Sequence, residues 1–270
     1  MSMGTNILRL RTAKGHTQEN LADRLGVTFQ AVSAWERDQY KPDTDNLIRL
    51  AEELGTTVNA LVYDTPDYET KDTLFDPERM RTFVKTTARE HGLKDSLKAV
   101  DFAVKAHEGT LRKNSDVPYI CHPLTLACHA LAMGLYDDEL ISACLLHDVV
   151  EDTDYTKEDL PVSDEAKEIV QLLTKKSSTG KKIRLKEYYA KILDNPKACL
   201  VKCLDRCNNL TTMSWGFTRK KMFEYIEEVD TYYPKLLCRV KEEPAFYHAA
   251  WLLKYQMEST LDIYKRLLKG

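Results

Sequence analysis

Residues 144–153 (CLLHDVVEDT) hold a dense group of side chains that can do chemistry. His147 and Glu151 are four residues apart, as are Asp148 and Asp152, so on a helix the four groups would occupy two adjacent strips of one surface. Charged groups this close destabilise one another unless a cation holds them. Imidazole and carboxylate ligands together suit manganese, iron or zinc. The segment therefore predicts part of a divalent-metal site.

Two further residues can complete such a site, because a single helix cannot surround a metal ion. His122 stands in the motif VPYICHP, and Asp205 stands in an otherwise apolar predicted helix, where a buried carboxylate needs a partner. Together with His147 and Asp148 they give the order H…HD…D. This order resembles the pattern of the HD superfamily of metal-dependent phosphohydrolases.

The segments around these residues narrow the resemblance. AHEGTLRKNSDVPYICHPLTLA, LISACLLHDVVEDTDYT, VQLLTKK and VKCLDRCNNLTTM resemble the hydrolase domain of RelA/SpoT homologues and the small alarmone hydrolases. The likeness extends from about residue 97 to residue 234. It implies an enzyme that depends on Mn²⁺ or another divalent metal and removes the 3′-pyrophosphate from ppGpp or pppGpp, giving GDP or GTP.

The resemblance also implies a role for each motif position. His122, His147, Asp148 and Asp205 would hold the metal. Glu151 and Asp152 would position and deprotonate the attacking water. The residues expected to bind substrate are Arg112 against the guanine, Lys113 near the base or phosphates, Asn209 at the ribose or its phosphates, and Tyr119. Asn208 departs from the family pattern, which often has a histidine there.

Residues 5–62 show a second pattern, a series of five short predicted helices. Thr17 caps a helix over residues 18–25, Gly26 breaks it, and Thr28 opens a helix that continues through Glu36. In such a helix-turn-helix unit the second helix presents its early residues to base edges in the major groove. The stretch TQENLADRLGVTFQAVSAWERDQYKP resembles the Cro/CI-type helix-turn-helix family.

This second resemblance predicts a DNA-binding surface. Gln18 is placed to bond phosphate, and Gln30 can make a bidentate contact to adenine. The residues expected to face the bases are Thr28, Phe29, Gln30 and Ser33. Residues 1–64 hold seven Lys/Arg and nine Asp/Glu, however, whereas phosphate neutralisation supplies much of the affinity of a DNA-binding protein. A protein-interaction module therefore stays open as the alternative, and a palindromic DNA site would require a homodimer.

The chain as a whole predicts an all-α protein of two domains. A Cro/CI-type helix-turn-helix domain is expected at residues 4–63, a polar linker at 64–76 and an HD helical bundle at 77–270, because helical periodicity fills nearly all of that last region. A loop is expected at 177–182. The predicted helices of the bundle cover residues 96–107, 125–133, 138–150, 163–174, 185–193, 196–209, 219–231 and 245–268.

Composition excludes several other classes of protein. No apolar run approaches the roughly 20 residues that a membrane-spanning helix needs. The net charge of −3 does not point to a polyanionic partner. Seven cysteines scattered through apolar stretches fit a reducing cytoplasm better than a disulfide framework. Cys199, Cys203 and Cys207 share a helical face, and core packing is favoured over a metal cluster because no fourth soft ligand stands nearby.

Three functional hypotheses follow from the sequence. The first is an alarmone hydrolase attached to a DNA-binding module. The second is a transcription regulator whose HD domain senses a nucleotide with slow turnover or none. The third is an antitoxin-like protein that neutralises an alarmone synthetase. The retained acids Glu151 and Asp152 favour catalysis, because a sensor would be free to lose them.

Overall fold

The computed structural model describes residues 2–56, 58–63, 76–113, 115–175 and 184–269. The chain forms two compact units, Met1–Lys71 and Asp72–Gly270. Residues 64–75 of the expected linker and the expected loop at 177–182 lie outside the described ranges. The domain bounds 4–63 and 77–270 therefore stay a prediction.

The N-terminal unit consists of five short helices, as the sequence predicted. They are α1 (Met3–Ala13), α2 (Gln18–Leu25), α3 (Phe29–Glu36), α4 (Thr44–Leu54) and α5 (Val58–Tyr63). The Thr17 hydroxyl accepts from the backbone N–H of Asn20, and the Thr28 hydroxyl caps α3 in the same way. Gly26 ends α2 in the left-handed conformation, with φ at 65°, which a side chain would disfavour. These local signals fix the helix-turn-helix.

Apolar residues from all five helices form the core of this unit. Ile7, Leu21, Val32, Leu50 and Leu61 are fully buried and belong to one cluster. The helices α1 and α3 approach closely at Gly4, where a Cβ atom would lie only 2.4 Å from the carbonyl oxygen of Trp35. The small residue is therefore required for the contact.

The C-terminal unit is also helical. Its α-helices are α6 (Pro77–Glu90), α7 (Lys94–Ala106), α8 (Cys121–Ala132), α9 (Asp138–Leu146), α10 (Val149–Asp152), α11 (Asp164–Leu173), α12 (Leu185–Ile192), α13 (Pro196–Thr211), α14 (Met213–Gly216), α15 (Arg219–Lys241) and α16 (Tyr247–Lys269). Two 3₁₀ turns, Lys157–Asp159 and Pro244–Phe246, join some of them. The described residues otherwise show only one isolated antiparallel bridge, between Leu111 and Pro118. The predicted all-α fold is confirmed.

Helix α13 is central to the C-terminal unit. It packs against α8, α9, α11, α15 and α16, and its apolar side chains belong to a single buried cluster. Cys199, Cys203 and Cys207 are buried free thiols within that cluster, which agrees with the core-packing interpretation. In the described part of the chain, no helix is long and apolar enough to cross a membrane.

Several predicted helices of this unit have other bounds in the structure, where α8 begins at Cys121 and α15 extends to Lys241, and one predicted helix is interrupted. Residues 138–150 were expected to form a continuous helix, but α9 ends at Leu146 and α10 begins at Val149. Asp148 between them has φ −98° and ψ −9°, which is outside regular helix geometry. The interpretation that Glu151 and Asp152 extend one helical surface carrying His147 and Asp148 is therefore also wrong. The break lies at His147 and Asp148, two of the predicted metal ligands, and the geometry of the candidate metal centre explains it.

Candidate metal centre

The four predicted metal ligands converge, although they come from three separate segments. Nε2 of His122 lies 3.4 Å from Oδ2 of Asp148 and 3.3 Å from Oδ1 of Asp205. Nε2 of His147 lies 3.0 Å and 4.0 Å from the same two oxygens. Candidate ligand atoms of His122, His147 and Asp148 all lie within 4.8 Å of one another, and Asp205 stands beside both imidazoles. This arrangement could hold one metal ion.

The break between α9 and α10 explains how two consecutive residues face one point. Successive side chains on a regular helix diverge by about 100°, because the helix has 3.6 residues per turn. The irregular backbone at Asp148 instead brings its carboxylate within 3.0 Å of the His147 ring. Tertiary geometry at the site therefore overrides an apolar pattern that would continue the helix.

Both histidines are held in the tautomer that a metal requires. Nδ1 of His122 is 2.6 Å from Oδ1 of Asn208, and Nδ1 of His147 is 2.9 Å from the carbonyl oxygen of Cys144. Since both oxygens only accept, each Nδ1 carries a proton, and each ring in its neutral form presents the lone pair of Nε2 to a metal. Nε2 of His147 is buried with no hydrogen-bond partner among the described residues. This unpartnered nitrogen belongs to a donor set of two nitrogens and two carboxylates, which fits a divalent cation.

Charge interactions keep both carboxylates ionised. Burial alone would raise the pKa of Asp148, but the imidazoles of His147 and His122 hold it well below its usual value. Burial would also raise the pKa of Asp205, but the charge of Lys202 and the hydrogen bond from His122 hold it well below its usual value. Although burial opposes it, hydrogen bonding to Asp148 and Asp205 raises the pKa of His122 to about 9. Without a metal, Nε2 of His122 therefore carries a second ring proton at neutral pH, and a bound metal would displace it.

The two further predicted acids lie at the edge of the centre. The Tyr119 hydroxyl is 2.6 Å from Oδ2 of Asp148 and 2.9 Å from Oδ2 of Asp152, so one O–H serves two carboxylates. Burial, and then the charges of Asp148 and Glu151, raise the pKa of Asp152, while the Tyr119 hydroxyl opposes that shift. Glu151 accepts a bond from the backbone N–H of Lys175 at 3.0 Å. Asp152 is thus the better placed of the two to take a proton.

A cavity of about 530 Å³ opens beside the candidate ligands. Arg112, Lys113, Tyr119 and Asn209, the residues predicted to bind substrate, all line it. Arg112 donates to Oδ1 of Asn209 at 3.1 Å and to the Thr212 hydroxyl at 2.9 Å. Asn209 in turn donates to Oδ1 of Asp205. A chain of hydrogen bonds therefore connects the predicted base-binding arginine to a candidate metal ligand.

The lining of this cavity extends beyond the four residues that the sequence predicted to bind substrate. Four additional cations and several aromatic side chains contribute, namely Lys175, Lys202, Arg206, Lys221, Trp215, Phe217 and Tyr225. Lys202 and Arg206 were detectable, because they flank Asp205 on a helix that is otherwise apolar. The described lining holds six Lys/Arg side chains and four carboxylates, so it has a cationic excess before any metal binds.

His107 lies behind the centre and does not line the cavity. It is almost fully buried, and its ring centroid is 4.7 Å from that of Tyr119. Burial lowers its pKa to about 4, so its ring stays neutral at ordinary pH. Its packing therefore supports Tyr119.

In the N-terminal unit, the residues predicted to read DNA differ in their accessibility. Thr28, Phe29 and Gln30 are exposed at the start of α3, and Ser33 is half-buried one turn later. Gln18, predicted to bond phosphate, donates to Oε2 of Glu36 at 2.5 Å. Its amide is therefore engaged within the unit.

The basic residues of this unit are also partly engaged. Arg11 donates to both carboxylate oxygens of Glu36, at 2.5 Å and 3.1 Å, and to the carbonyl of His16. Arg24 pairs with Glu53 at 2.5 Å. Arg11 is thus largely withdrawn from the surface, whereas the paired Arg24 side chain stays 50% exposed.

Fold and centre together define an all-α protein with a His/Asp centre of the HD type. Comparison with known families agrees: residues 99–216 match the HD domain family, and residues 7–61 match the helix-turn-helix family. These two matches confirm the predicted resemblance of the C-terminal unit to the RelA/SpoT-type HD hydrolases and of the N-terminal unit to the helix-turn-helix family.

Several relatives match the HD region. A guanosine-3′,5′-bis(diphosphate) 3′-pyrophosphohydrolase of Aquifex aeolicus is 31% identical over 167 residues, which is 60% of this chain and 22% of that protein. The bifunctional (p)ppGpp synthase/hydrolase SpoT of Escherichia coli K12 is 33% identical over 145 residues, 50% of this chain and 20% of that protein. A probable GTP pyrophosphokinase of Mycobacterium leprae is 34% identical over 125 residues, covering 43% of this chain and 15% of its own length. The chain thus spans 22% or less of each of these relatives.

A solved structure also matches, that of a metazoan ortholog of SpoT described as hydrolysing ppGpp. Its TM-score is 0.48 at 20% identity, and the match covers 62% of this chain and 94% of that chain.

Proposed function

We propose that this protein is a divalent-metal-dependent hydrolase that removes the 3′-pyrophosphate from guanosine alarmones, converting ppGpp to GDP and pppGpp to GTP. The observation that carries the proposal is the convergence of His122, His147, Asp148 and Asp205 beside a cation-rich cavity. The relatives named for this reaction supply the substrate class. Mn²⁺ is the metal that we propose.

The chain's own groups suit each part of this hydrolysis. A bound divalent metal would lower the pKa of a water molecule and offset phosphate charge. Asp152 takes a proton from the water, whose oxygen bonds to the phosphorus next to the ribose as the bond from that phosphorus to O3′ breaks. The proton on Asp152 is then available to the departing O3′. Arg112 and Asn209, already hydrogen-bonded, would orient the nucleoside.

The position of the acids favours catalysis over sensing alone. Asp152 is joined through the Tyr119 hydroxyl to Asp148, a proposed ligand, and its raised pKa suits a group that exchanges protons. Glu151 is anchored on the backbone of Lys175. A protein that only binds a nucleotide needs neither feature.

A nucleotide panel with and without Mn²⁺ tests the proposal. The full chain should release pyrophosphate from ppGpp and pppGpp, and chelation of the metal should stop the reaction. Asp152→Asn should lower turnover by at least about 100-fold while metal binding persists, because it removes the proton acceptor and leaves the ligands in place. Tight binding of ppGpp by the wild-type protein without turnover would instead support the nucleotide-sensing regulator. Inhibition of an alarmone synthetase by the Asp152→Asn variant would support an antitoxin-like action by contact.

A second function, DNA binding by the N-terminal unit, has its own supporting observation. Phe29 and Gln30 are exposed on the first turn of α3, where a recognition helix meets base edges. We propose that this unit binds DNA as a homodimer and connects alarmone turnover to transcription. An electrophoretic shift on DNA selected from a random pool should weaken steeply between two salt concentrations. Binding that is insensitive to salt would contradict phosphate contacts.

A further inference from the structure

Four cations of the cavity have no role in the proposed reaction, and three of them lie around Asp205 and Glu228. Lys202 and Arg206 lie on α13, and Lys175 follows the end of α11. We call these three residues the Lys175 wall. They are separate from Arg112, which contacts Asn209 and Thr212 near the end of α13. The cavity therefore has a second group of positive charge.

The carboxylates near the Lys175 wall do not neutralise it. Arg206 contacts Oε1 of Glu228 at 2.7 Å, and Nζ of Lys175 lies 3.9 Å from the same oxygen. Nζ of Lys202 contacts Oδ2 of Asp205 at 2.7 Å. Three cations thus share two carboxylates, and one of these is a proposed metal ligand. A metal held by Asp205 would take up the negative charge of that carboxylate. Of the two carboxylates, only Glu228 would then offset the charge of the Lys175 wall.

Burial makes this excess of charge costly unless an anion binds. Arg206 is 1% exposed and lines the cavity, and its Nη1 is buried with no partner among the described residues. Burial, and then the charge of Lys202, lower the pKa of Lys175. Buried charges are stable only when they are paired, and phosphate oxygens are strong acceptors for Lys and Arg. The wall therefore has the chemistry of a phosphate subsite.

The position of the wall indicates which phosphate it would hold. Asp205 presents Oδ1 to His122, at the candidate metal centre, and Oδ2 to Lys202. Asp205 therefore connects Lys202 of the Lys175 wall with the candidate metal centre, where the scissile phosphate would be held. We propose that the Lys175 wall binds the distal phosphate of the 3′-pyrophosphate and selects a pyrophosphate over a single phosphate at that position. This inference rests on the proposed function.

Equilibrium binding tests the inference separately from turnover. In the Asp152→Asn background with Mn²⁺, titrations would compare ppGpp with ppGp, which keeps the 5′-diphosphate but has one phosphate at the 3′ position. Adding Lys175→Ala should raise the Kd for ppGpp by about tenfold or more, the size expected for a charge-assisted contact, and the Kd for ppGp by less than about twofold. Since the Lys175 side chain is 35% exposed, its removal leaves the core intact.

Two matched variants control this measurement. Lys175→Arg keeps the charge and should retain most of the preference for ppGpp. Lys220→Ala removes an exposed lysine that does not line the cavity, and it should change neither Kd.

The outcomes separate the inference from the function beneath it. Equal loss of affinity for ppGpp and ppGp, or no loss, would contradict the distal-phosphate subsite. Wild-type hydrolysis of ppGpp would in that case still support the proposed function. A loss that follows the number of 5′ phosphates, measured with pGpp, would also contradict the subsite. Failure of the Asp152→Asn protein to bind ppGpp at all would count against both proposals.

Discussion

The two units of this protein place their proposed functional residues in opposite environments. In the C-terminal unit, His122, His147 and Asp205 are buried, and Oδ1 of Asp205 lies 3.3 Å and 4.0 Å from Nε2 of the two histidines. In the N-terminal unit, Phe29 and Gln30 are exposed at the start of α3. A buried polar group must find a partner, so the fold itself constrains the first set. Exposed residues are constrained only by what they bind, so the fold allows the second set without requiring it.

The largest effect that separates the units is expected from His147→Ala. Loss of one proposed ligand should weaken Mn²⁺ binding by more than about 100-fold, since even outer-sphere partners contribute 10- to 100-fold. Pyrophosphate release should disappear with the metal, and DNA binding should not change. Calorimetric Mn²⁺ titration and a DNA shift assay would measure the two properties. His248→Ala, an exposed histidine on α16, is the matched control; wild-type Mn²⁺ affinity in His147→Ala would refute the ligand assignment.

A smaller effect is expected from Asn208→Ala, because Asn208 contacts His122 and would act on a bound metal only through that ring. The amide oxygen of Asn208 fixes the ring tautomer at 2.6 Å, so its loss should reduce Mn²⁺ affinity by about 10- to 100-fold. Asn208→Asp keeps an acceptor and should restore most of that affinity. Equal behaviour of the alanine and aspartate variants would show that the hydrogen bond to His122 is irrelevant to the metal.

In the N-terminal unit, Gln30→Ala should reduce affinity for a selected DNA site by about tenfold, the size of one bidentate base contact. Metal binding and turnover should remain at wild-type levels. Gln39→Ala, an exposed glutamine beyond α3, serves as the control. If both variants bind DNA like the wild type, Gln30 does not read a base and the protein-interaction alternative gains support.

The smallest effect is a shift in pH dependence from Tyr119→Phe. The Tyr119 hydroxyl lowers the pKa of Asp152, so its removal should raise that pKa further. Asp152 must be deprotonated to accept a proton, so activity is lost as pH falls through its pKa. The acid limb of the pH–rate profile should therefore move to higher pH, because the hydrogen bond that favours the ionised carboxylate is lost. An unmoved limb would show that Asp152 is not the titrating base.

Local signals account for the parts of the fold that the sequence predicted well. The bounds of α2 were predicted because Thr17 caps one end and Gly26 terminates the other. The break between His147 and Asp148 was missed because the apolar pattern continues through it. At that break the Asp148 carboxylate contacts His122, which lies on another helix. Hydrophobic periodicity contains no information about such a contact.

The candidate site shows the same division. The convergence of its four candidate ligands was predictable, because a histidine or aspartate in an apolar segment needs a partner. Lys202 and Arg206 stand out in the sequence only as charged neighbours of Asp205; their ion pairs and the unpartnered guanidinium nitrogen of Arg206 depend on the fold and could not be predicted. Gln18 was expected to contact phosphate, yet its amide holds Glu36 18 residues away, a contact that depends on how α2 packs on α3.

The central claim is that two histidines and two aspartates share one divalent cation. Anomalous diffraction from crystals of the full chain grown with Mn²⁺ tests it most directly. One Mn²⁺ peak per chain, bonded to His122, His147, Asp148 and Asp205, is the result that we expect. A peak that excludes Asp205, or no peak at this position under saturating Mn²⁺, would contradict the account.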